Sequence, residues 1–231
     1  MVNRSQASAG VEPGSGPRRD GPAPAWALLA LLPLVPPIVW PGIGALASFG
    51  IVVLALILVK DARMPTTRML GTAPGTGPGA AVKLGLGAGI VLAFAFAFAV
   101  KPFIEWSFGE PVDLSSFVGV EGNLEKYILL LALGLIFGGV IEELVFRGFV
   151  VGWGSHILGD DAARWLVLLS AGAFGFAHLY QGWAGVASTG LAGLALGVVY
   201  LAGGRGLLPA ILVHMILNFV GITALYLGID G

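Results

Sequence analysis

The chain has 231 residues, 57% hydrophobic and 11% charged, with mean hydropathy +0.92 and formal net charge −1. A soluble domain carries about 25% charged residues, so the deficit places this chain in a membrane, while the near-neutral balance argues neither for nor against nucleic acid. The sequence has no cysteine, which excludes disulfides, thiolate nucleophiles and cysteine-based metal sites.

Residues 1–24, "MVNRSQASAGVEPGSGPRRDGPAP", are rich in Pro, Gly, Ser and Arg. They cannot form a core and predict a disordered tail. No early apolar run or cleavage site marks a removable signal peptide. Apolar segments then recur at about the length of a membrane helix, ~20 residues. They lie near 25–40, 42–60, 81–100, 127–153, 163–181, 183–202 and 206–228. The expected fold is an all-α, polytopic bundle of seven spans, the first interrupted by Pro33, Pro36 and Pro37. Trp40-Pro41-Gly42 predicts a tight turn between the first two. The 37 glycines suit close helix packing in lipid. Residues 25–100 form an N-terminal membrane block, 101–126 a polar loop and 127–228 a polar-centred helical core. The stretch from Lys60 is basic, which predicts a cytoplasmic location, and Arg4, Arg18 and Arg19 of the tail agree. The stretch from Glu105 to Lys126 is acidic and is expected outside. The aromatic run from Leu92 to Val100 reads as lipid-facing or helix-facing bulk.

Three charges then interrupt one of the most apolar parts of the chain, "GGVIEELVFRGF", Gly138 to Phe149. Charges inside a bilayer are costly and mark function or pairing. Glu143 and Arg147 are four apart, so on a helix they share a face and can pair. Glu142 points about 100° away and has no partner at that spacing. The predicted division is a structural Glu143–Arg147 pair and a Glu142 that faces a polar cavity. A carboxylate so placed suits general acid or base work. The competing reading is that all three charges merely knit helices together.

Three histidines decide between these readings. His156 sits at a span end beside Asp160 and Asp161 and reads as interfacial. His178 ends "FGFAH" at the edge of the fifth span. His214 lies within "ILVHMILNF", with Asn218 one turn along the same face. In a bundle such groups are satisfied only by facing one another or a water pocket, so convergence with Glu142 is expected. A count of seven spans from a cytoplasmic tail puts His178 near the outer end of the fifth. Glu142 sits at mid-membrane or nearer the inside.

These residues form three ordered patterns. Glu142-Glu143 with Arg147 reads EExxxR, Phe174 with His178 reads FxxxH, and His214 with Asn218 reads HxxxN. Over about residues 127–228 the chain resembles the CPBP intramembrane proteases, which include CAAX prenyl-protein endopeptidases and the Abi, bacteriocin-processing and self-immunity proteins. The resemblance implies that Glu142 and His178 activate a water for attack on a peptide carbonyl. It also implies that His214 and Asn218 stabilise the oxyanion, with Glu143, Arg147 and Phe174 in support. The chemistry fits, because a His–Asn pair can present two donors to one oxygen.

Metal-independent, glutamate-based hydrolysis with no cofactor is the expected mechanism. The alternative is a zinc ion held by Glu142, His178 and His214, a His₂Glu set. Against it, HExxH is absent and no second carboxylate stands ready as base. A non-catalytic self-immunity or scaffold protein of the same fold is the competing function. A proton-relay transporter would show two matching halves, which the sequence lacks. Expected partners are membrane lipids and a membrane-associated protein or peptide, with no nucleic acid, and the expected location is the cell membrane. A prenylated C-terminal peptide is the best-known substrate class for part of the family.

Overall fold

The computed structural model describes residues 24–58 and 77–229. The predicted N-terminal tail and most of the basic stretch from Lys60 lie outside the described residues. Among those described there are helices and turns and no strand. We number seven apolar helical segments: α1 Trp26–Val39, α2 Gly44–Leu58, α3 Pro78–Phe108, α4 Leu124–Leu158, α5 Ala162–Ala177, α6 Gly182–Ala202 and α7 Leu207–Leu227. This is the all-α bundle that the hydropathy predicts.

Four of the segments are long and apolar enough to cross a membrane: α3, α4, α6 with the turn before it, and α7. The other three, α1, α2 and α5, are shorter than the expected ~20 residues. α1 survives its prolines by changing pitch. A 3₁₀ turn over Leu32–Leu34 leads into a short α segment, Val35–Val39. Ser48 of α2 donates to the Pro33 carbonyl at 2.7 Å. The predicted turn at Trp40-Pro41-Gly42 is present, with Gly42 at φ +87°, a conformation that glycine adopts at little cost. The Gly42 amide donates to Ala177 O, so α1 and α5 end at the same level.

The polar loop expected at 101–126 begins later. Lys101–Phe108 is helical and continues α3. Pro102 explains both this and the wide π turn at Phe96–Val100 before it. A proline lacks an N–H and clashes with the carbonyl four residues back, and a widened turn absorbs the misfit. The aromatic run is exposed bulk: Phe94 and Phe98 stack at 5.9 Å with most of their surface uncovered.

Glycines set the packing. α3 lies parallel to α7, with Gly85 against Leu212 and Gly89 against Ile216. α4 runs antiparallel to α7, with Gly134 against Ile222 and Gly139 against Met215. α5 and α6 are antiparallel, joined where Gly175 meets Gly190 and Gly197 meets Val167. Consecutive segments therefore alternate in direction. The buried core gathers around Val145, Phe146, Val150, Val151, Leu166, Leu196 and Tyr200.

Candidate active site

α4 carries the acidic pair, and its backbone is not α-helical there. Gly134–Glu142 and Leu144–Trp153 are wound as wide π turns on either side of Glu143. The four-residue spacing predicts a regular helix, so this is a departure, and π turns recur at functional sites. The expected ion pair still forms. Arg147 Nη1 donates to Glu143 Oε1 at 2.8 Å, with both side chains almost wholly buried. Arg147 Nη2 also donates to the Gly193 carbonyl on α6 at 2.6 Å, and its guanidinium lies 5.2 Å over the Phe174 ring.

Glu143 does more than the sequence predicts. The same Oε1 accepts from His214 Nδ1 at 2.8 Å. An acidic partner at Nδ1 fixes the ring and turns Nε2 toward Glu142, whose Oε2 is 3.8 Å away. That separation exceeds a hydrogen bond, so the Glu142 carboxylate keeps its capacity to accept from a third group. The Glu142 side chain retains 17% of its surface, whereas Glu143 retains none. The two adjacent glutamates thus divide as expected, one facing a cavity and one paired inside.

His178 ends α5 as its C-cap. Its Nδ1 lies 2.9 Å from the Phe174 carbonyl. A carbonyl only accepts, so a proton sits on Nδ1, and in the neutral ring Nε2 carries the lone pair. Phe174 packs against both histidine rings, with centroids 5.0 Å from His178 and 5.7 Å from His214. Asn218 Nδ2 donates to Gly134 O at 2.8 Å, satisfying a carbonyl in the first wide turn of α4. One of its amide hydrogens is therefore committed and the other is not.

Glu142, His178, His214 and Asn218 line one open cavity of about 360 Å³. His178 reaches the cavity from the end of α5. At 16 residues that helix is about 24 Å long, and its C-cap His178 lines the same cavity as Glu142. A 3₁₀ turn, Leu179–Gln181, then leads into α6. The loop after α3 lies over this end, with the Asp113 amide donating to Gln181 O. Within that loop the Ser115 hydroxyl and amide hold the Asp113 carboxyl below its ordinary range. His156 is exposed, as expected, and does not line the cavity.

Residues 124–220 match the family model of Rce1-like, type II CAAX prenyl endopeptidases. The match covers less than half of the chain, and over it the sequence is similar to that family. It starts at the first residue of α4, ends inside α7 and contains all three motifs. Neither a curated protein nor a solved structure matches the chain.

The donor types in the Rce1-like segment suit zinc. Both histidines have Nδ1 engaged and Nε2 turned elsewhere, as metal-bound imidazoles do. Among the described residues no group of three His, Asp or Glu is placed to hold a metal ion. We therefore derive no step through zinc.

Several lining residues escape the sequence reading, among them Lys101, Tyr180, Gln181 and Ser188. They lie on other helices and carry no motif. Gly138 was within reach, since it stands four residues before Glu142. A Cβ there would collide with Asn218 Nδ2 and come into ordinary contact with His214 Nε2. Gly138→Ala should cost about 1–3 kcal/mol by overpacking and lower turnover by displacing Asn218. Gly87→Ala, where a Cβ meets open space, should do neither. Unfolding and turnover of the two purified variants check this.

Proposed function

We propose that the chain is an intramembrane endopeptidase in which Glu142 and His178 activate a water and His214 and Asn218 receive the oxyanion. The observation that carries this reading is the opposed pair of Glu142 Oε2 and His214 Nε2, 3.8 Å apart, on a cavity also lined by His178 and Asn218. A base and a donor thus face each other with room for a reacting carbonyl.

In the reaction Glu142 takes a proton from water as the water oxygen bonds to the peptide carbon. The Nε2 lone pair of His178 accepts the second water hydrogen bond and orients the nucleophile. The carbonyl oxygen becomes an oxyanion, and preorganised donors there supply much of the rate. Asn218 offers its uncommitted amide hydrogen. For His214 to donate from Nε2 while Nδ1 donates to Glu143, the ring must carry both protons. The charges then balance: Glu142 and Glu143 against His214 and Arg147. The C–N bond breaks, and the proton held by Glu142 passes to the leaving amine. The products are a new carboxylic acid, which keeps the second water hydrogen, and a new amine; transfer of that hydrogen to the amine gives the carboxylate and the ammonium.

The test is a comparison of membrane-fraction peptides from cells with the wild type and with Glu142→Gln. Accumulation of one or a few uncleaved proteins in the variant, with matched new termini in the wild type, is the expected result. Identical peptide profiles at equal expression would favour the non-catalytic scaffold.

A further inference from the structure

We propose that the cleft takes its substrate from the non-cytoplasmic side of the membrane, and that this substrate is an apolar, extended peptide segment exposed at that outer surface. The substrate class rests on the endopeptidase reading above; the sidedness does not.

The cavity belongs to one half of the bundle. Its lining residues on α7 run from His214 to the far end of the helix at Leu225. Those on α4 run from Glu142 back toward its start at Leu130. Because α4 and α7 are antiparallel, both lines rise to the same face. His178 and Gln181 stand at that face, and the loop residues Val112, Leu114 and Phe117 form an apolar wall there. In the other direction the cavity is closed. Glu143, Val145, Phe146, Arg147, Val150 and Val151 are at most 1% exposed and form a solid layer beneath Glu142 and His214.

The two faces differ in basic residues. The closed face holds Lys83 near the start of α3, Arg164 in the first turn of α5 and Arg205 in the turn between α6 and α7. The sequence ahead of α1 carries Arg4, Arg18 and Arg19, and that between α2 and α3 carries Lys60, Arg63 and Arg68. Both stretches attach to helix ends on this closed face. The cavity face has Lys101 and Lys126, among Glu105, Glu110, Asp113, Glu121 and Glu125. Lys101 is within 3.8 Å of Glu105. Lys and Arg within short loops and near span ends set orientation, and the richer side stays in the cytoplasm. The closed face is therefore cytoplasmic and the cleft opens outside. A cytoplasmic C-terminal peptide would meet the buried layer. A peptide on the outer surface, from an exported chain or from the outer flank of a membrane-anchored one, meets the mouth and its apolar wall.

The lack of cysteine in the chain makes single-cysteine labelling clean. Glu121→Cys lies on the cavity face and His156→Cys at the far end of α4, both at exposed positions outside the site. Each full-length variant would be expressed in a bacterial host and treated, as spheroplasts, with a membrane-impermeant maleimide. Glu121→Cys should label at once and His156→Cys only after permeabilisation, and inverted vesicles should reverse the order. The opposite pattern in both preparations overturns the sidedness and leaves the peptidase reading standing. A second measurement uses an apolar peptide library anchored by one membrane helix, facing outward or inward, with wild type against Glu142→Gln. Glu142-dependent cleavage of the outward library is expected. Cleavage of the inward library alone overturns the substrate class while supporting peptidase activity. Cleavage of neither, with labelling as expected, overturns the peptidase reading and the substrate class with it.

Discussion

Arg147→Ala is expected to destabilise the folded chain by about 3–5 kcal/mol, the usual cost of removing one partner from a buried ion pair. Arg147 has no exposed surface and ties three helices. It donates to Glu143 within α4 and to Gly193 O on α6, and its guanidinium covers the Phe174 ring of α5. Truncation leaves the Glu143 carboxylate buried with His214 as its one remaining polar contact, and it opens a void among the three helices. Unfolding of the purified protein in detergent, followed by circular dichroism, measures the loss. A double variant separates packing from charge. Glu143→Leu with Arg147→Met replaces the pair by apolar groups of similar size, a change that is often neutral or stabilising. It should recover most of the stability and none of the turnover, because His214 loses the acceptor that fixes its ring. A well-folded but inactive Arg147→Ala would move Arg147 from support into the chemistry.

That expectation for Arg147 rests on a feature that the sequence shows and another that it hides. Glu143 and Arg147 are four residues apart, and a local spacing can be read directly. The bond between Glu143 and His214 spans 71 residues, and no periodicity encodes it. The pattern repeats across the molecule. Seven apolar segments are legible because hydropathy accumulates over many residues. The end of α5 is not, because tertiary partners decide it: Ala177 O is taken by Gly42 across the bundle, and the chain turns there. Lys101-Pro102 reads as the start of a loop, yet the wide turn at Phe96–Val100 absorbs the missing N–H and the ring of the proline, and α3 continues to Phe108. The π turns of α4 are hidden for a related reason. Their widening matches contacts from α7, with Asn218 on Gly134 O and Met215 against Gly139, that a sequence window over α4 does not contain. The three motifs were readable because each is a pair or trio on one helix, and burial in lipid leaves such groups few places to go.

Glu142→Gln should leave the protein folded and lower the rate of peptide cleavage by at least ~10²-fold. Glutamine keeps the volume of the side chain but cannot take the proton from water. Glu142 is part exposed and makes no direct hydrogen bond among the described residues, its nearest ionic neighbour being His214 Nε2 at 3.8 Å. The substitution therefore strands no buried partner, and the melting temperature should hardly move. This contrasts with Arg147→Ala, where stability falls first. The same variant distinguishes the two mechanisms. If Glu142 is the base, wild-type activity survives chelators and the metal content of wild type and variant is the same. If Glu142 instead ligates zinc, chelation abolishes wild-type activity, added zinc restores it, and Glu142→Gln loses bound metal, since metal and ligand protonation are linked. His214→Ala supplies the cross-check. As an oxyanion donor, His214 influences rate and leaves metal content unchanged; as a ligand, its loss releases zinc. Elemental analysis with one zinc per chain in the wild type, absent from both variants, would replace the glutamate base with a zinc-bound water. Equal metal content alongside the expected loss of rate assigns the proton transfer to Glu142.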